Sequence, residues 1–185
     1  MMLDKIKTNE QLIQFLTSDL LENEIGVIIN EDMPQDSYVA IDIDEYYHHI
    51  GLKTIPAIAD ILLVAQRLSQ KEQHHIYIVE MKNIRKPQHF NVKNIYEKFH
   101  TAIEDFMKAK YADIFMDDNY KVERFKLFFV SDVFRLKNRG WSEDQIRSFL
   151  SETKIMAFQS MSFLQYRNFK AIIEYQLPNP LLEWY

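Results

Sequence analysis

Two short apolar runs, Ile61-Leu62-Leu63-Val64 and Ile76-Tyr77-Ile78-Val79, each carry a carboxylate at one end. Asp60 opens the first and Glu80 closes the second. Read as neighbouring antiparallel strands joined by the polar segment Arg67 to His75, they bring Asp60 and Glu80 together near one end of a sheet. Lys82 follows Glu80 by two positions, and residues i and i+2 of a strand share a face, so Glu80 and Lys82 point the same way. Two carboxylates and an ammonium converging on one spot have the chemistry to hold Mg²⁺ and act on a phosphodiester.

The rest of the chain supplies elements around this pair. Thr8 reads as the cap of a first helix with an apolar stripe of Leu12, Ile13, Phe15, Leu16, Leu20 and Leu21. Val27-Ile28-Ile29 reads as a short strand, Met33 to Ser37 as a turn, and Tyr38 to Ile43 as a strand. Gly51 and Pro56 bracket a connection. From about Asn91 to Tyr111, Val92, Ile95, Phe99, Ile103, Phe106 and Met107 recur at spacings of three and four, which predicts an amphipathic helix. Met116 to Tyr120 reads as a loop and Phe125 to Val130 as a strand. Ser142 caps a helix with acidic residues in its first turn. Lys154 to Leu177 reads as one or two more strands, stopped by Pro178 and Pro180. The fold class expected is α/β, a mixed central sheet flanked by helices. One domain is expected over residues 1–185, its core at about 8–131, with a C-terminal helix and strands over 141–177.

Composition limits what such a domain can do. An apolar fraction of 47%, with 13 Phe, 10 Tyr and only 3 Gly, gives enough material for a full core and argues against a linker or disordered tail. The absence of cysteine removes disulfides and thiolate metal sites and is compatible with a reducing compartment. No stretch reaches the roughly 18 apolar residues of a membrane span, and Met1 to Lys5 lacks the apolar core of a signal peptide. The expectation is a cytoplasmic protein without membrane contact. Lys and Arg are outnumbered 22 to 27, for a net charge of −5, which marks the chain as a weak DNA-binder by itself. Arg85, Lys86 and Lys93 just beyond Lys82, and Arg135, Lys137 and Arg139 further on, are local basic groups for a phosphate backbone; solvated loops are the plainer reading of both.

The placement of Asp60 and Glu80-Met81-Lys82 on consecutive strands, with a helix after them, resembles the PD-(D/E)XK nuclease superfamily, the fold of most type II restriction endonucleases. The resemblance is residue-level at those four positions and order-level over about residues 8 to 131. Ala59 stands where the family's proline precedes the aspartate, and the nearest proline is Pro56. A second triplet, Glu152-Thr153-Lys154, has no apolar strand before it and reads as a charged helix end. The resemblance implies that Asp60 and Glu80 ligate Mg²⁺ together with the Met81 carbonyl, that Lys82 orients the attacking water, and that products carry a 5′-phosphate and a 3′-hydroxyl. Glu10, Glu24, Asp42 and Glu45 are the choices for a further carboxylate, and Lys93, Tyr96 and His100 for contacts from the following helix.

A core that nearly fills the chain, combined with the acidic balance, resembles the small cleavage subunits of heterodimeric type IIS restriction endonucleases. These cut one strand of double-stranded DNA while a larger partner subunit reads the sequence. A stand-alone homodimeric enzyme, a Holliday-junction resolvase, and a non-catalytic assembly module of nuclease-like fold are the alternatives. The trio reads phosphate and not sugar, so RNA is also open. A further alternative is that Asp60 and Glu80 are strand-end charges paired with Lys82 or Arg67, adding little stability and no chemistry. His48-His49 and His74-His75, read as strand neighbours, point to opposite faces, so neither pair chelates one metal. Trp141 and Trp184 read as packing residues, with Trp184-Tyr185 a docking point for a partner.

Overall fold

The computed structural model describes residues 1–22, 25–66, 73–84, 90–151, 158 and 161–182. The chain opens with helix α1 (Met2–Thr8), a 3₁₀ turn (Ile13–Phe15) and four two-residue strands: β1 (Leu16–Thr17), β2 (Leu21–Glu22), β3 (Ile25–Gly26) and β4 (Ile28–Ile29). Strand β5 (Tyr38–Asp42) runs directly into helix α2 (Ile43–His49), and β6 (Ile61–Gln66) and β7 (Gln73–Met81) follow. Helix α3 (Val92–Thr101) continues as a π-wound segment (Ala102–Lys110), and α4 (Ala112–Phe115) leads to β8 (Lys121–Val130). Helix α5 (Glu143–Ser151), β9 (Leu164–Tyr166), β10 (Phe169–Ala171), β11 (Ile173–Gln176) and β12 (Leu181–Leu182) complete the described elements.

The molecule is mixed α/β, built on a six-stranded sheet in the order β1-β5-β6-β7-β8-β11. The expected antiparallel pairing of the two apolar runs is observed, with Ile61 opposite Val79 and Leu63 opposite Tyr77. Strand β8 then lies parallel to β7, and β11 parallel to β8. Sheet direction therefore changes at β7, the strand that carries Glu80. A parallel neighbour needs a long crossover, and α3 with its π-wound extension supplies it.

Both faces of the sheet are covered, which is why β6 and β7 read as unbroken apolar runs and not as alternating strands. On one face Val39, Ile41, Leu62, Val64, Ile76, Ile78, Leu127 and Phe129 pack beneath α1, α2, α3 and the π-wound segment. Phe106 meets the rings of Tyr46, Tyr47, Tyr111 and Phe115 there. On the other face Ala40, Leu63, Tyr77, Val79 and Val130 pack beneath Leu20, Ile25, Val27 and Leu182. Gly26 lets that cover come close, because a Cβ at this position would lie 1.9 Å from the Leu20 carbonyl oxygen. Among the described residues no helix is long and apolar enough to cross a membrane.

Several expected elements differ from the structure. The first helix is α1, and Thr8 closes it, its hydroxyl donating to the Asp4 carbonyl. The Asn9 side chain accepts from the Gln11 and Leu12 amides, which turns the chain. Leu16 and Thr17 then gain more by pairing with Ile41 and Ala40 at the sheet edge than by continuing a helix, and Ile13 is left 55% exposed. Helix α2 was not expected, and it places His48 and His49 in a last helical turn instead of a strand. His74 and His75 do lie on a strand and are buried. Pro178 and Pro180 stop the strand before them, β11 ending at Gln176, but a further strand follows in which Leu181 and Leu182 pair with Ile28 and Ile29. Ser142 caps α5 as expected: its hydroxyl accepts from the Gln145 amide, and Gln145 reciprocates on the Ser142 amide.

The C-terminal hairpin is tied to the crossover by one guanidinium. Arg167, in the β9–β10 turn, donates to the carbonyls of Phe115, Asp117 and Tyr120, and the Tyr166 hydroxyl donates to Phe115 as well. These carbonyls lie at the end of α4 and in the loop after it, and Asp117 also accepts from the Tyr120 amide. Arg167→Ala removes the guanidinium from all three, leaving Phe115 its Tyr166 bond and Asp117 its Tyr120 amide, and the expected loss is about 1–3 kcal/mol, read from urea denaturation; an unchanged midpoint would show that water replaces the guanidinium at no cost.

Candidate functional site: two carboxylates on one buried lysine

The strand ends place the first two residues. Asp60 prolongs the ladder just ahead of β6: its amide donates to Val79, and its carbonyl accepts from Ile43. Its side chain turns back onto β7, where Oδ2 accepts from the Met81 amide at 2.5 Å. Glu80 shares its sheet face with Ile76 and Ile78, the face covered by α3. A carboxylate on that face is buried by construction, and Glu80 is 1% exposed.

Lys98 of α3 closes the arrangement. Its Nζ donates to Glu80 Oε2 at 2.8 Å and lies 3.8 Å from Asp60 Oδ1. The side chain is 20% exposed and Asp60 is 18% exposed, so all three groups are withdrawn from bulk water. Lys82, expected to be the partner cation, acts on Glu80 through its field and not through a hydrogen bond. Its backbone is held firmly, the amide donating to Val130 and the carbonyl accepting from the Ser131 hydroxyl. The Met81 side chain packs in the opposite core.

Electrostatics follow from burial. Loss of solvent raises the Glu80 carboxyl most, and the neighbouring Asp60 charge adds to it; Lys98 and Lys82 only partly offset them, leaving it at about 8. Burial lowers Lys98 most, but the Glu80, Asp60 and Asp44 charges and the hydrogen bond to Glu80 together outweigh it and hold the ammonium above its ordinary value. Two carboxyl groups sharing one ammonium in a dry setting is a costly arrangement for stability, and Glu80 meets part of that cost by holding its proton up to about pH 8. A strongly perturbed group with a specific charge partner, beside a cleft, is a candidate functional site.

The cleft lies on the open side of Asp60. It has a volume of about 260 Å³ and is lined by Asp19, Asp42, Asp44 and Asp60 with Thr17, Leu21, Ile61 and Met81. Of the further carboxylates considered from sequence, Asp42 is here. Burial raises it first, and the Glu45 amide bonded to it pulls it back. Glu10 and Glu45 are exposed on the surface, and Glu24 lies outside the described residues. Among the described residues no three His, Asp or Glu side chains form a ready-made metal cage. A pair of carboxylates suits a hard cation that retains water ligands, as Mg²⁺ does, better than a zinc-type cage.

The remaining predicted contacts are spread apart. Arg85 and Lys86 lie outside the described residues, as do Arg67, Glu152 to Lys154 and Trp184-Tyr185. Lys93 is exposed on α3, about 140° round the helix from Lys98 by its spacing of five residues. Tyr96 and His100 stack on each other. Arg135 and Arg139 are exposed, and Lys137 is engaged with Asp132 and Pro178. Sequence reasoning missed Lys98 and Asp44. Lys98 had a legible signal: it falls in line with buried Ile95 and Ala102 at helical spacing, and a lysine on a buried face requires a buried partner.

Because folding raises Glu80 from 4.5 to about 8, the folded protein keeps a proton that the unfolded chain releases. The associated stability is complete below the unfolded value and is lost as pH rises toward 8. In chelator, the thermal midpoint of the wild type should therefore fall relative to that of Glu80→Gln between about pH 5 and pH 8; parallel curves would contradict the shift. Comparison with protein families, with characterised proteins and with solved structures returns no match.

Proposed function

We propose that the protein is a Mg²⁺-dependent DNA endonuclease with a restriction-endonuclease-like core, acting as the strand-cleaving subunit beside a larger DNA-recognition partner. The observation that carries this reading is the convergence of Asp60 and Glu80 on a single buried ammonium at the end of the β6–β7 pair. The order supports it: three antiparallel strands, β5 to β7, a helical crossover and a parallel β8 are what the nuclease resemblance implies. The cost of burying Glu80 argues against a purely structural ion pair.

Asp60 and Glu80 would hold the metal, with the Met81 carbonyl as a further ligand in keeping with the resemblance. When bound, Mg²⁺ polarises a phosphoryl oxygen and lowers the pKa of a coordinated water. The protein's own groups do the rest. The Met81 amide fixes the Asp60 carboxylate, so one ligand is oriented before any substrate arrives. Lys82 carries its charge on the Glu80 side of the sheet, where it stabilises negative charge on the phosphate and orients the attacking water. Burial of Glu80 beneath α3 keeps bulk water from competing for it.

The acidic cleft beside Asp60 and the net charge of −5 work against unaided DNA binding. That balance favours a cleavage subunit that borrows its affinity from a partner over a resolvase or a self-sufficient homodimer. The test is nicking of supercoiled plasmid with Mg²⁺ at high protein concentration. Asp60→Asn, Glu80→Gln and Lys82→Ala should each lower the rate by about 100-fold or more without moving the thermal midpoint much below that of the wild type. Wild-type rates in any of them would remove that residue from its role. Efficient cutting at a defined sequence by the isolated chain would overturn the need for a partner.

A further inference from the structure

We infer that Lys98 is the site's internal counter-ion, occupying the cation position between Asp60 and Glu80 and giving it up when a divalent metal binds. The inference rests on the metal-dependent reading above and adds a residue that the Asp-Glu-x-Lys pattern does not contain. It stands on geometry. Nζ of Lys98 touches Glu80 at 2.8 Å and Asp60 at 3.8 Å, the two carboxylates that would hold the metal. A lysine is a compact point charge on a flexible four-carbon stem, able to swing while its helix stays in place. Its backbone is anchored by buried neighbours: Ile95, Phe99 and Ala102 pack in the core.

The arrangement has two consequences. Without metal, Lys98 lies between the two carboxyl groups, bonded to Glu80 and near Asp60, so a cation already fills the site. With metal, an ammonium and a divalent ion compete for the same oxygens, and repulsion at such distances is strong in a site shielded from water. Lys98 therefore lowers metal affinity and sets the free-metal concentration at which the site fills. It is a positioning residue, acting through Asp60 and Glu80.

The experiment is isothermal titration of Mg²⁺ and, separately, Ca²⁺ into the full chain without DNA, comparing wild type, Lys98→Met, Lys98→Gln and Lys98→Arg, with Asp60→Asn as the loss-of-site control. Both neutral variants should bind Mg²⁺ more tightly than wild type, by about tenfold or more, while Lys98→Arg stays near the wild-type value and Asp60→Asn loses binding. A merely structural lysine would not raise affinity when removed. Neutral variants that bind at wild-type strength or more weakly would overturn the counter-ion role while leaving the metal site standing. No Mg²⁺ binding by wild type or by either neutral variant would remove the metal reading itself, and the inference with it.

Discussion

The hydrogen bond from the Lys98 ammonium to the buried Glu80 carboxyl is the interaction around which this molecule is arranged. It joins the crossover helix α3 to the central strand β7 by a polar contact. Elsewhere α3 meets the sheet through Ile95, Phe99 and Ala102, and the sheet answers with Ile76, Ile78 and Phe129. An apolar pair at positions 80 and 98 would fit such surroundings at lower cost. A carboxylate stands there instead, with a second from Asp60 beside it and a backbone amide holding that second one in place.

The architecture explains how this is tolerated. Strand β7 is the hinge of the sheet's topology, antiparallel to β6 and parallel to β8. Strands β5 and β6 deliver Asp42 and Asp60 to one end of the sheet, the end at which β7 delivers Glu80 and Lys82. A rigid pair of strands, packed on both faces, fixes the carboxylates more tightly than loops would. The acidic groups on the cleft side, Asp19, Asp42 and Asp44, extend the negative field outward from Asp60. A cation is attracted into such a field and a phosphate is not, which is why the account separates the chemistry of the site from the delivery of DNA to it.

Much of the centre was legible in the sequence because its signals are local and agree with one another. The two apolar runs set strand and register, and the three-and-four spacing from Val92 to Met107 set the crossover helix. The i, i+2 rule put Glu80 and Lys82 on one face. The failures have equally local causes. The stripe from Leu12 to Leu21 has helical spacing, but Asn9 turns the chain, and pairing of Leu16 and Thr17 on β5 overrides propensity. Helix α2 was hidden by the strand before it, although Asp42 followed by Asp44 and Glu45 is a serviceable cap signal. Lys98 escaped because its partner is far in sequence: nothing near it announces Glu80, and only the burial of its neighbours on the helix points inward.

The claim that most needs a direct look is that the Asp60–Glu80 pair is a cation site. The measurement is anomalous diffraction from crystals soaked in Mn²⁺, a stand-in for Mg²⁺ that can be located by its own scattering. The account predicts a peak bounded by carboxylate oxygens of Asp60 and Glu80, with the Lys98 ammonium withdrawn from between them. Soaked crystals with no peak there, and with Lys98 still bonded to Glu80, would contradict it.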